Sequence, residues 1–327
     1  MALMRRQGKK KGEEGYGQGR AAIAFDDDVL LDEDALVATL LSALEAPDYR
    51  PPTLPAVAVE LLELSRQPDV AFDDVVRLLE QDSMIAGRVL NVARSPIYAR
   101  AVEITSLHEA LSRFGLRTLR DLVLEISMNL KVFKSSDYAE TMDLLRRHSA
   151  MTAHLCKIVC THTDVDGEYA FMAGLLHDVG IAGTLLALSD RRGPKSAPPD
   201  LISIWPAVDR VHPRAGQLMA EHWGLSEDLQ RVLSAHHQVL VEGEAHRLSA
   251  TVCIADHLAR ELGHGLVPQG KEESEGTGAL HLDCVRSHTN VDTSSPRTLE
   301  HAREALGIDE ALLERIIAEA DGLDGRL

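Results

Sequence analysis

Cysteine is scarce in this 327-residue chain: Cys156, Cys160, Cys253 and Cys284 form no CxxC pair and no dense framework. A disulfide scaffold is thereby excluded, and reduced, mostly buried thiols in a cytoplasmic protein are expected. Basic residues are also in deficit, 34 against 51 acidic, and the net charge of −17 repels a phosphate backbone. Neither nucleic-acid nor anionic-membrane binding is expected. No uninterrupted apolar run reaches the roughly 18 residues of a membrane-spanning helix. The basic start, MALMRRQGKKKGEEGYGQGR, lacks an apolar signal core and reads as a disordered arm over residues 1–30. Internal repeats are absent, as are Asn-Gly hairpin signals between alternating strands. With no receiver, kinase or cyclase segment visible, an input signal would have to come from a separate protein.

What is present is helical periodicity and apolar bulk. Apolar residues make up 45% of the chain, enough for a substantial core. DEDALVATLLSALEA, AVAVELLELSR, FDDVVRLLEQD and SMIAGRVLNVARS read as short amphipathic helices that must pack on one another to be stable. Thr105 or Ser106 is a natural cap for the helix that follows, and Gly115 a natural stop. An all-α fold is expected, divided into an N-terminal helical subdomain over 31–135, which from about residue 51 has no acid, base or ligand cluster of its own, a second helical subdomain over 136–262, a flexible loop or insertion over 263–297 and C-terminal helices over 298–327. Ser226 is a further expected cap, for SEDLQRVLSAHHQ.

The second half carries the chemistry. Leu145, His148, Thr152, Leu155 and Val159 share one helical stripe, which places His148 on a buried face. His177 and Asp178 end the apolar run GLLHDVG; His212, the pair His236 and His237, and Asp256 follow on later helices. Each alone has a plain alternative: a buried imidazole satisfied by a backbone carbonyl, or a mid-helix aspartate paired with an arginine. Together they are the imidazole and carboxylate types that hold Fe, Mn, Ni, Zn or Co, and an aspartate can bridge two such ions. His108, His154, His162, His222, His257 and His264 fall outside the pattern.

GLLHDVG, the upstream RRHS, HPRAGQLMAEHWGLS, the HH at 236–237 and CIADHLA resemble the HD superfamily. LPAVAVELLEL and the run from LLEQDSMIAGRVLNVARSPIY to LVLEIS sharpen this to the HDOD family of bacterial signalling proteins, related to HD-GYP phosphodiesterases, over roughly Arg50 to Gly263. The resemblance implies an HD-like helical domain preceded by a smaller helical bundle. It also implies one or two divalent metal ions: a first held by His148, His177, Asp178 and Asp256, with Asp178 bridging, and a second held by His212 and His236 or His237. Two departures bear on function. Catalytic relatives carry lysine three residues after the HD aspartate, where this chain has Ile181, and the GYP segment is replaced by HHQVLVEGEAHR. The expected function is regulatory, through a signalling protein partner or a nucleotide or phosphoester ligand. The alternative is a metal-dependent phosphohydrolase using a metal-bound hydroxide, with Asp178 in the catalytic role.

Overall fold

Asp32 opens α1 (Glu33–Leu44) by accepting bonds from the amides of Asp34 and Ala35 at 3.1 and 3.2 Å, and Leu36, Leu40 and Leu44 line its buried face. The computed structural model describes residues 32–67, 69–95, 104–191, 197–241, 243–266, 296–320 and 323; the arm expected over 1–30 and most of the loop expected over 263–297 lie outside them. Helices dominate, as the periodicity requires.

Three short helices, α2 (Ala56–Leu64), α3 (Phe72–Glu80) and α4 (Ser83–Ala93), pack on the long α5 (Leu107–Lys131). Asp82 caps α4 through the amides of Met84 and Ile85, and Ser106 caps α5 through Glu109 N–H at 3.1 Å. Glu109 returns a carboxylate to Thr105 N–H at 2.7 Å, which completes a reciprocal cap. Gly115 interrupts α5 at φ 77°, a left-handed conformation that glycine adopts without a Cβ penalty.

A buried charge cluster joins this first half to the second. Arg120 and Asp121 are both buried on α5: the Arg120 guanidinium bonds the Glu168 carboxylate at 2.5 Å, the Glu168 carbonyl at 2.7 Å and the Asp121 carboxylate at 3.1 Å, while Lys157 lies 3.6 Å from Asp121. The pair faces α6 (Ala139–His162) and the turn after it rather than solvent, so adjacent opposite charges that look like surface residues in the sequence instead fasten the two halves together. Removing one partner of such a buried group costs about 3–5 kcal/mol.

The second half is built from α6, α7 (Ala170–Leu176), α8 (Val179–Arg191), α9 (Leu201–His222), α10 (Glu227–Ala235) and α11 (Arg247–Glu261), with α12 (Pro296–Leu306) against α11 and α13 (Glu310–Ala320) against α6. α1 lies across α8 and α9, held at its rim by Arg210 to Glu33 and Asp34 and by Arg214 to Glu45, each at 2.8 Å. A two-residue hairpin, β1 (Leu240–Val241) with β2 (Glu244–Ala245), turns through Gly243 at φ 87° and is the strand content among the described residues. Ser226 stands at the start of α10 as expected, yet its hydroxyl makes no capping bond. Ala170–Asp190, though interrupted by His177 and Asp178, is apolar and long enough to cross a membrane by length and composition; 94% of its most apolar window is buried inside the fold.

Helices in the second half cross closely because glycines stand at the crossings. A Cβ on Gly174 would meet Ala153 Cα at 2.7 Å, one on Gly180 would meet the His212 carbonyl at 1.9 Å, and one on Gly216 would meet the Leu233 carbonyl at 2.8 Å. These three contacts draw α7 onto α6, α8 onto α9 and α9 onto α10, which brings the histidines of four helices to one point.

Candidate metal centre

All seven residues expected at the site converge in one buried cluster. His148 projects from α6, His177 and Asp178 from the junction of α7 and α8, His212 from α9, His236 and His237 from the end of α10, and Asp256 from α11. His237 is partly exposed; the other six are buried.

Asp178 stands at the centre. Its Oδ2 is 3.2 Å from His177 Nε2 and 3.6 Å from His148 Nε2; its Oδ1 is 3.2 Å from His236 Nε2 and 3.5 Å from His212 Nε2. One carboxylate oxygen thus serves each of two groups. In the first, His148 Nε2 is 3.3 Å from His177 Nε2 and 3.2 Å from Asp256 Oδ1. In the second, His212 Nε2 is 3.4 Å from His236 Nε2 and 3.0 Å from His237 Nε2. The ligand atoms of His148, His177 and Asp178, and those of His212, His236 and His237, lie within 4.8 Å of one another.

The opposite ring nitrogens explain why these atoms point inward. His148 Nδ1 donates to the His264 carbonyl at 2.9 Å, His177 Nδ1 to the Gly174 carbonyl at 2.8 Å, His212 Nδ1 to the Asp209 carbonyl at 2.5 Å and His236 Nδ1 to the Val232 carbonyl at 3.1 Å. A carbonyl only accepts, so each Nδ1 carries the proton and each Nε2 is the basic nitrogen. Two basic nitrogens 3.3 Å apart repel unless a proton or cation lies between them. Asp256 Oδ1 adds a buried acceptor with no hydrogen-bond partner. The donor set therefore fits divalent cations: imidazole Nε2 atoms and carboxylate oxygens, each imidazole oriented by a backbone bond behind it.

Local sequence makes two of those backbone bonds. Pro213 lacks the amide that would take the Asp209 carbonyl in a regular helix, and His212 Nδ1 takes it instead. At the end of α11, Gly263 at φ 86° gives a left-handed cap in which His264 N–H bonds the Ala259 carbonyl at 2.9 Å, and the turn carries the His264 carbonyl back to His148. His264, outside the expected pattern, thus reaches the site through its backbone.

The two groups differ electrostatically. Burial works against a charge on His148, but Asp178 and Asp256 outweigh it and raise the imidazole to about 9. Burial pushes His212 down, helped by His236, and drives His237 well below the usual imidazole range, helped by His236 and His212. Asp178 lies well below the carboxylate range because His177, His148 and His236 overturn the cost of burying it; Asp256 is lowered likewise, chiefly by Arg260, whose guanidinium sits 2.6 Å from Oδ2. Ile181, by contrast, is buried in the apolar core.

Residues 52–239 match the HDOD domain family, 188 of 327 positions. The chain belongs to the HDOD family. The match stops at Val239, short of the expected Gly263 and of Asp256. Solved structures share the fold: an HDOD domain protein of unknown function from Geobacter sulfurreducens (23% identity, 89% of this chain and 95% of that one, TM-score 0.63), a candidate metal-dependent phosphohydrolase from Shewanella amazonensis (20%, 88% and 99%, 0.58) and a candidate signal transduction protein from Marinobacter aquaeolei (19%, 90% and 65%, 0.61). An uncharacterised protein of Treponema pallidum is 24% identical over 264 residues, 78% of this HDOD chain and 50% of that protein. The chain thus spans half the length of that relative.

Sequence reasoning missed Arg260, Asp209, Pro213 and the glycines at the crossings. The signals were present as spacings: an arginine four residues after Asp256, an aspartate three before His212 and a proline directly after it.

Proposed function

We propose that this HDOD protein is a bacterial, cytoplasmic regulatory protein whose HD cluster holds one divalent ion in each group, with Asp178 between them, and which acts by binding a protein partner or a nucleotide. Metal binding rests on one observation above others: four imidazoles tied at Nδ1 to backbone carbonyls aim Nε2 atoms at the two oxygens of one aspartate. Regulation rather than turnover is supported by Ile181, which fills with a buried methyl-bearing side chain the position where catalytic HD-GYP relatives are expected to carry lysine. Any metal would then organise the second half and its contacts with α5 through Arg120 and Glu168.

A second reading, a metal-dependent phosphohydrolase, is favoured by the completeness of the cluster. Paired divalent ions at such a site activate water and clamp the oxygens of a phosphoester. In that case Asp178 would hold both ions, while the Nδ1 bonds would keep the imidazoles from rotating.

The deciding experiment measures metal content and then hydrolysis of a bis-phosphoester by the loaded protein. Bound metal with negligible turnover is expected. Robust metal-dependent hydrolysis, lost in Asp178→Ala, would overturn the regulatory reading in favour of the hydrolase; absence of metal after incubation with each candidate ion would overturn the metal site itself.

A further inference from the structure

Arg260 is a partly exposed cation at the edge of the cluster. Asp256 and Arg260 stand four residues apart on α11, hence on one helix face. The Asp256 carboxylate is shared between two tasks: Oδ1 faces His148 Nε2 at 3.2 Å, and Oδ2 accepts from Arg260 Nη2 at 2.6 Å. The guanidinium is therefore one carboxylate away from the first ligand group. Its side chain is 29% exposed, against 6% for Asp256 and 0% for His148, so it links the buried cluster to solvent. The glycine turn after α11 lays Gly265 against the Arg260 stem, its Cβ position 3.8 Å from Arg260 Cγ, and the same turn sends the His264 carbonyl to His148. The cation and the ligand it neighbours are thus held by one short segment.

An ordinary pair between helix neighbours accounts for the Asp256–Arg260 contact, but not for its place beside the ligand cluster. Asp178 and Asp209 also draw on the Arg260 charge; with divalent ions in both groups Asp178 and Asp256 would be offset by metal, which leaves the guanidinium beside a positive cluster with Asp209 as the remaining nearby carboxylate. The matched ligand is an anion. A guanidinium offers a planar fork of donors suited to phosphate oxygens, which a lysine ammonium engages only as a point charge.

We infer that Arg260 is the phosphate-binding cation of this site, supplied from α11 where the buried Ile181 of α8 supplies no charge, and that the ligand it selects carries a phosphate group, as a nucleotide or other phosphoester does. This rests on the proposed metal site but not on turnover, since binding is common to both functional readings.

The test is calorimetric titration of inorganic phosphate into the metal-loaded full chain, alongside elemental analysis, for the wild type, Arg260→Gln and Arg260→Lys. Metal retained in all three, phosphate bound about ten- to a hundredfold more weakly by Arg260→Gln and partly restored by Arg260→Lys is the expected result. Equal phosphate affinity in wild type and Arg260→Gln overturns the inference. So does loss of metal from both variants, which would make Arg260 a structural partner of Asp256. A wild type that holds metal but binds no phosphate overturns the inference and leaves the metal site standing; a wild type that holds no metal overturns the site. Asp209→Asn, which removes a negative charge from beside His212, is expected to tighten phosphate binding, and an unchanged affinity there together with an unchanged Arg260→Gln rules out an anion site at this edge.

Discussion

The two ligand groups around Asp178 use the same aspartate and different company. The first combines His148 and His177 with a second carboxylate, Asp256; the second is three imidazoles, His212, His236 and His237. Two carboxylates beside His148 raise it to about 9, whereas burial and neighbouring imidazoles lower His212 and His237. The first group therefore attracts any cation, the proton included, and the second presents neutral nitrogens at His212 and His237 that suit softer, imidazole-preferring ions. A ligand set is defined less by its count of histidines than by what burial and carboxylates do to them.

Removing the shared residue should erase the difference. Asp178→Ala is expected to lose metal from both groups, with affinity falling by more than about a hundredfold at each, a loss beyond that typical of residues behind the ligands. Elemental analysis of the purified variant checks it, and retention of one ion per chain would show that Asp178 does not join the groups. Next in size, His148→Ala and His236→Ala should each remove one ion and leave the other. Loss of both ions from either variant would mean that the groups are a single site.

pH should separate the groups more gently. The folded-state value of His148, about 9, lies above its ordinary 6.5, so a proton occupies Nε2 at neutral pH in the metal-free protein and must leave before a metal binds. Affinity at the first group is then expected to rise by up to about tenfold per pH unit and to level off above pH 9. His212 and His237, lowered rather than raised, have no proton to lose there, so the second group should show a shallower rise than the first from neutral pH upward. The stability that the His148 proton contributes to the metal-free protein is fully present below about pH 6.5 and lost as pH rises through about 9. Titrations of His148→Ala and His236→Ala at pH 7, 8 and 9 read the two slopes separately, and equal slopes would remove the distinction.

The chemistry of this site was more legible in the sequence than its architecture. His148 announced itself by a stripe, His177 and Asp178 by ending an apolar run, and the family resemblance linked them to His212, His236, His237 and Asp256. A helical period fixes which face a residue occupies, and that suffices when the partners come from several buried faces. An arginine partner was the plain alternative for Asp256, yet its place beside the ligand cluster was not legible, because an exposed arginine on a surface helix and one beside a buried carboxylate have the same spacing. Arg120 and Asp121 gave no signal for the converse reason: adjacent charges carry no mark of burial until the partner helix is known to cover them. The Ser226 position was right and its bond wrong, since a cap needs a rotamer that the sequence does not specify.

The smallest predicted effect tests whether the backbone behind a ligand tunes it. Pro213 leaves the Asp209 carbonyl without its helical amide, and His212 Nδ1 donates to it at 2.5 Å, fixing the tautomer that presents Nε2 to Asp178. Pro213→Ala restores an amide able to compete for that carbonyl, so the helix should gain regularity while the imidazole loses its anchor. The second group is expected to bind metal about tenfold more weakly, the low end for residues that orient a ligand from behind, with the first group unchanged and the melting temperature equal or higher. Competition titration with a chelator, run on His148→Ala to isolate the second group, measures it. A drop of the same size in the first group would mean that α9 moved as a whole, and the tautomer argument would fail.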